Sequence, residues 1–314
     1  MAYKFRPGEP VREAILRCSR DQLDSAVSEL SERINEDPEK AIHQARKAIK
    51  KERSLLRLAR GTMKGSQRRR ENAALRDAAR ALSATRDADV MIASVDALAD
   101  RFAGQLPAKT FKAIRTRLLK RRRAAATASP DGQAIPELGA VRLRVDEWQL
   151  RRGGWKAIDS GLDRTYRRGR RALRRARAHG RTEDLHDWRK RVKDLWYHER
   201  LLASTCGPTV RGHAKDLDHL SDLLGDDHDL AVLRDELTND VAAAPADLEA
   251  VLRLIDHRRA ELQAEAFGIG ERVYAESPKA FRRRLERSWK AGRKLARVPE
   301  EQHPAQLAAA TRRP

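Results

Sequence analysis

Apolar residues recur along this chain at three- and four-residue spacing, the period of an amphipathic helix. Between Val11 and Arg33 they fall at Ile15, Cys18, Leu23, Ala26, Val27 and Leu30, which predicts a leading helix over 11–33. Asp37-Pro38 then supplies a side-chain cap followed by proline at the first helical position. It opens a second helix through Arg60, which Gly61 to Gly65 stops. Further helices are predicted over 68–101, 107–126, 157–179, 183–203, 208–240, 246–268 and 277–295, the last opening on Ser277-Pro278. Residues 127–156 carry Pro130, Gly132, Pro136, Gly139, Gly153 and Gly154 and read as one long irregular connector; the tail after Val298 reads as frayed. Helix signals recur throughout, so the pattern predicts an all-α fold.

Composition narrows this further. With 4% aromatic and 36% charged residues, the chain suits amphipathic helices better than sheets, and its 40% hydrophobic content is enough for a core. Its 67 Lys plus Arg exceed 46 Asp plus Glu, for a formal charge of +21. Such an excess repels itself in the compact state unless an anion offsets it. An acidic partner is therefore expected: nucleic acid, an anionic membrane, or a polyphosphorylated ligand. Cys18 and Cys206 form no metal or redox motif. No segment has the apolar length of a membrane span, and the N-terminus MAYKFRPGEP lacks that of a signal peptide, so a cytoplasmic protein is expected.

The chain also repeats itself. AIHQARKAIKKERSLLRL, from Ala41, superposes on DLHDWRKRVKDLWYHERLL, from Asp184, placing His43 on His186, Arg46 on Arg189, Lys47 on Lys190, Lys50 on Lys193 and Arg57 on Arg200. RDADV (Arg86 to Val90) then matches DDHDL (Asp226 to Leu230), KRRRA (Lys120 to Ala124) matches DHRRA (Asp256 to Ala260), and the Arg-rich helix 162–178 matches 281–294. The expectation is one domain over 1–300. After the leading helix, one four-helix repeat spans about 35–180 and a second about 181–297. A pseudo-twofold arrangement would bring the two His-x-x-Arg-Lys helices together.

At 100° per residue, His43, Arg46, Lys47, Lys50, Arg53, Ser54 and Arg57 share one helix face. In the second copy the corresponding face carries His186, Arg189, Lys190, Lys193, Trp196, Tyr197 and Arg200. A solvated face ordinarily mixes charge signs at i,i+4. These stripes hold no acid, and the pattern occurs twice, which favours a polyanion site over a plain surface. Imidazole donates readily to phosphate oxygen, making His43 and His186 candidate ligands. His213, His219, His228 and His257 are weaker candidates, and His228, in Asp-Asp-His-Asp, sits where carboxylates would hold arginines. A third cationic helix, LDRTYRRGRRALRRARA over 162–178, presents Tyr166, Arg167, Arg170, Arg174 and Arg177 within a third of its circumference, with Arg168, Arg171 and Arg175 on the adjoining strip. Guanidinium forks suit phosphate. The Arg121 to Arg123 run reads as surface charge.

Together, the two His-x-x-Arg-Lys helices, GLDRTYRRGRRA and LHDWRKRVKDLWY resemble the CHAD family, the conserved-histidine α-helical domain, over about residues 8 to 295. The resemblance implies two four-helix repeats around a basic cavity or channel, binding of inorganic polyphosphate, and targeting to polyphosphate granules. Carried over, the binding set would be His43, Arg46, Lys47, Lys50, Arg53 and Arg57, then His186, Arg189, Lys190, Lys193, Tyr197 and Arg200, with Tyr166, Arg167, Arg170 and Arg174 between them. Trp196 stands where the first copy has Arg53, so the halves need not grip equally. Many relatives carry a triphosphate-hydrolysing tunnel domain that is absent from this sequence.

Three functions compete. Polyphosphate is a uniform string of charge with no bases to stack on, which matches many Lys and Arg on helices and few aromatics; other polyphosphorylated anions share that chemistry. A sequence-indifferent nucleic-acid binder fits the charge but lacks a stacking platform. A helical metal phosphohydrolase could use His186-Asp187 and His228-Asp229, but adjacent helix residues diverge by 100° and neighbouring cations oppose a divalent metal. The expectation is a binding protein without catalytic residues, metal or cofactor.

Overall fold

The computed structural model describes residues 3–82, 86–125, 134–239 and 247–296. Among these, α-helices make up the architecture, with a lone antiparallel bridge between Met63 and Leu150. In chain order they are α1 (Val11–Ser31), α2 (Pro38–Leu58), α3 (Gly65–Ala81), α4 (Arg86–Arg101), α5 (Ala108–Ala125), α6 (Ala134–Arg144), α7 (Asp159–His179), α8 (Thr182–Cys206), α9 (Pro208–Asn239), α10 (Leu248–Val273) and α11 (Pro278–Leu295). Both cap-plus-proline starts form as predicted. The Asp37 carboxylate accepts from the Lys40 amide at 3.0 Å and Ser277 Oγ from the Ala280 amide at 3.2 Å.

Two expectations about boundaries are corrected. The helix predicted over 68–101 is two helices: α3 ends at Ala81 and α4 starts at Arg86. The Leu82 carbonyl at the end of α3 accepts Arg46 Nη1 at 2.6 Å, so a long-range guanidinium satisfies a group that a continuous helix would have bonded internally. The connector 127–156 contains a helix, α6, because Ala134, Leu138 and Val141 are buried against α1 and α3. Pro136 is compatible with it, lying in the first turn where no intrahelical amide bond is lost. α10 also runs past its expected end at 268, since Ile269 and Val273 remain on the buried face. The frayed tail predicted after Val298 lies outside the described residues.

α2 packs on α1 and α3, and α8 on α7, α9 and α11. The α4–α5 hairpin leans on α9, so an element of the first predicted repeat packs against the second. Arg101 reinforces this by bonding Glu261 of α10 at 2.8 Å. α2 and α8 meet directly, crossing where His198 Nε2 lies 2.9 Å from the Ser54 carbonyl. His198 is fully buried and donates there as a neutral imidazole, its pKa lowered to about 4 chiefly by burial. The apolar backs of α2 (Ile42, Ile49, Leu55, Leu56) and α8 (Leu185, Trp188, Val192, Leu195) enter a continuous core, which leaves their cationic faces directed away from it.

Candidate polyanion site

The cationic faces of α2 and α8 line one open trough of about 1690 Å³. His43, Arg46, Lys47, Lys50, Arg53 and Arg57 enter it from α2; His186, Arg189, Lys190, Lys193, Tyr197 and Arg200 enter from α8. Twelve of the sixteen residues expected at the site are thus brought together. On each helix the set spans fifteen residues, about 21 Å at the α-helical rise.

Charge dominates the trough. Its described lining includes fourteen Lys and Arg against four Asp, with His43, His186 and His228 in addition. Crowding has electrostatic consequences. Burial and then the neighbouring charges of Arg200 and Lys47 pull Lys51 down to about 8. Lys193 is also lowered by burial, although Asp222, at 3.9 Å, and Asp218 oppose the shift. Burial and then Arg57 lower Arg53, whose Nε donates to the Asn72 side-chain carbonyl at 3.2 Å.

The histidines are arranged differently from expectation. His186 and His228 stack, centroids 4.1 Å apart and planes 28° from parallel, which brings His228 into the site despite its acidic sequence context. The neighbouring Asp227 does what was expected of that segment, holding Arg259 at 3.0 Å and Gln263 at 2.7 Å. Burial, then His228, Lys190 and Arg189, lower His186 to about 4, so both rings are neutral at pH 7. His213 instead bridges buried Glu199 and the Val273 carbonyl, and His219 pairs with Glu265 at 2.9 Å.

α7 requires correction. Tyr166 is fully buried, stacked on Phe281 at 3.9 Å with its hydroxyl donating to the Glu276 carbonyl at 3.1 Å; it is a core residue. Arg167 points to solvent and pairs with Asp163 at 2.7 Å. Arg170 and Arg174 line neither the trough nor the smaller pocket beside it. The reason is helical phase: the face holding Leu162, Tyr166 and Leu173 is buried, and the strip beside it presents Arg164 and Arg168 instead.

Sequence reasoning missed several lining residues. Tyr3 and Lys4 come from the N-terminal segment, Lys51 from α2, and Arg211 and Lys215 from α9. α9 also contributes Asp218, Asp222 and Asp229, an acidic wall facing the stripes. No local pattern signals these, because α9 reaches the trough only through tertiary packing. The packing is close at Gly225 of α9, where a Cβ would stand 3.1 Å from Arg189 Nη2 of α8, so glycine allows the guanidinium to lie against α9.

Among the described residues no three His, Cys, Asp or Glu side chains are grouped to hold a metal, and no helix is long and apolar enough to cross a membrane. The structure is similar to the CHAD domain of the plant Ricinus communis, with a TM-score of 0.55 at 19% identity over 91% of this chain and 93% of that one. It is also similar to PptA from Streptomyces chartreusis, with a TM-score of 0.59 at 16% identity over 85% of this chain and all of the other. A search of curated proteins gave no match. The CHAD-domain sequence model matches residues 15–238, ending before α10 and α11, which the sequence resemblance had included. Taken with the two cationic helices and the all-helical fold, that match places the chain in the CHAD family, a polyphosphate-associated domain.

Proposed function

We propose that this protein binds inorganic polyphosphate along the α2–α8 trough and does so without chemical turnover. The observation that carries the reading is the trough itself: among its described lining residues, fourteen cationic side chains against four carboxylates on one open surface. A polyanion laid there displaces counterions and relieves repulsion among cations held in place by rigid helices. Membership of a polyphosphate-associated family supports the same ligand. Binding of this kind would carry the protein to polyphosphate granules.

The aromatic residues argue against nucleic acid. Tyr3, Trp196 and Tyr197 line the trough, but all three are buried. Lys193 and Arg200 both lie over the Trp196 ring, at 4.2 and 4.7 Å from its centroid, and the Tyr3 ring packs edge-on to Tyr197. No base could stack on them, whereas single-strand binders depend on such platforms.

The test is retention of labelled long-chain polyphosphate at physiological salt against excess double-stranded DNA or RNA. Polyphosphate held against either competitor supports the reading. Equal displacement by DNA would overturn it in favour of generic charge.

A further inference from the structure

Beside the trough lies a smaller pocket of about 290 Å³ that no expectation from the sequence included. Arg57 and Arg60 reach it from the end of α2 and the turn after it, Arg68 from α3, Arg164 and Arg168 from α7, and Arg191 from α8. Its chemistry differs from that of the trough: the described cations are all arginine, and Asp194 is the one described carboxylate. Asp194 is already shared by Arg57 at 3.1 Å and Arg191 at 3.4 Å. Arg60, Arg68, Arg164 and Arg168 make no ion pair with a described carboxylate.

The arrangement is built by close backbone contact. A Cβ at Gly161 would lie 2.2 Å from the Leu58 carbonyl oxygen, so α7 can pass the end of α2 at this distance only with glycine there. That contact holds arginines from separate elements side by side. Partial desolvation and then Arg164 lower the pKa of Arg60; burial, then Arg60, Arg69 and Arg164, lower that of Arg68. Like charges held together destabilise the free protein, and Asp194, the one described carboxylate of the lining, offsets only part of them.

We propose that this pocket is a second anion site, distinct from the trough, that takes a compact and multiply charged phosphate group. Guanidinium forks bind such groups bidentately, where lysine acts as a point charge. A terminal phosphate carries up to two negative charges near neutral pH, with a second ionisation near pH 6 in monoesters. An interior phosphoryl of a polyphosphate chain carries one. Dense arginine therefore matches a terminus, and lysine-rich lining matches a chain interior. Arg57, Arg191 and Asp194 line both cavities, so a chain lying in the trough can place its end in the pocket. This last step rests on the polyphosphate reading; the anion site itself does not.

The experiment is calorimetric titration of the full chain with inorganic tripolyphosphate, and with long-chain polyphosphate whose ends are either free or capped as phosphoramidates. The pocket variant is Arg60→Gln with Arg164→Gln; the trough variant is Arg46→Gln with Arg189→Gln. A free short phosphate is the ligand if tripolyphosphate binds and the pocket variant weakens it at least tenfold while the trough variant changes it less than threefold. A chain end is the ligand if capping weakens long-chain binding at least fivefold in the wild type and has no effect in the pocket variant. The proposal fails if the pocket variant binds every probe as the wild type does, or loses capped and uncapped chains equally. Long chains unaffected by the trough variant would instead remove the polyphosphate reading and leave the pocket standing. Removing unpaired arginines should leave the melting temperature unchanged or higher. If the first pair unfolds, Arg68→Gln with Arg168→Gln repeats the test.

Discussion

The salt dependence of polyphosphate binding follows from the trough's charge and can be worked to a number. The described lining carries an excess of ten positive charges. If a bound chain neutralises about that many, the single-strand coefficient of about 0.7 per phosphate gives a slope of log affinity on log salt near −7, by analogy with nucleic acids. Raising salt from about 50 to about 200 mM should then cost roughly 10⁴-fold in affinity. Replacing Arg46 and Arg189 by Gln removes two of those charges and should flatten the slope to about −5.5. Glutamine ends where the arginine Nε stands, so the Leu82 carbonyl that Arg46 Nη1 serves at 2.6 Å loses this donor, and a thermal melt of the variant checks that the fold is kept. The control is Arg283→Gln with Arg287→Gln, two exposed arginines on α11 that line neither cavity. Arg121 is a poor control because it pairs with Glu236, and its loss would release that acid. Fluorescence anisotropy across a salt series reads all three slopes. A wild-type slope of about −2 or shallower, or equal flattening in both double variants, would refute binding in the trough and replace it with diffuse surface charge.

Three further outcomes are expected. A polyanion beside His186 and His228 raises pKa values that the free site holds low, chiefly through burial; His228, Lys190 and Arg189 add to this at His186 against Asp187, and Arg189 and Lys190 at His228 against Asp229 and Asp227. The complex therefore takes up protons, and polyphosphate affinity should rise as pH falls from 7 towards 5; His186→Gln with His228→Gln should flatten that profile in the same anisotropy assay. Arg167→Gln with Arg174→Gln should change polyphosphate affinity less than twofold at constant salt, since both side chains are exposed and outside the two cavities. Glu52 is fully buried, accepts from Ser19 Oγ at 3.0 Å, and is pushed up to about 8, mainly by burial. Its unfolded form ionises near pH 4.3, so the stability it supports is present below that pH and is lost as pH rises towards 8. Glu52→Gln should accordingly stabilise the fold more at pH 7.5 than at pH 5, by about 3 kcal/mol, as read by denaturant melts at both values.

How far the site was legible depends on where its information lies. Within a helix, phase is fixed at 100° per residue, so the cationic faces of α2 and α8 could be drawn, and all twelve expected ligands line the trough, although Ser54, drawn on the same face, is buried and bonds the Asp194 carbonyl. On α7 the same arithmetic identified an arginine-rich arc but could not say which edge of it turned inward. Tyr166 is the instructive failure. A tyrosine in an arginine run looks like a ligand, yet its ring is the anchor stacked on Phe281, and that burial rotates Arg167, Arg170 and Arg174 away while bringing Arg164 and Arg168 into the smaller pocket. The acidic wall of α9 and the stacking of His228 on His186 depend on packing between α8 and α9, which no local pattern encodes. The same distinction explains α6: Pro136 and Gly139 suggest a loop when read singly, but burial of Leu138 and Val141 against α1 and α3 outweighs them. Periodicity therefore predicted which faces carry charge, and packing decided which charges meet. The meeting of Arg60, Arg68, Arg164 and Arg168, four unpaired guanidiniums from α3, α7 and the turn after α2, belongs wholly to the second kind. A site assembled in that way is least visible in a sequence, and here it gathers four arginines that make no ion pair with a described carboxylate.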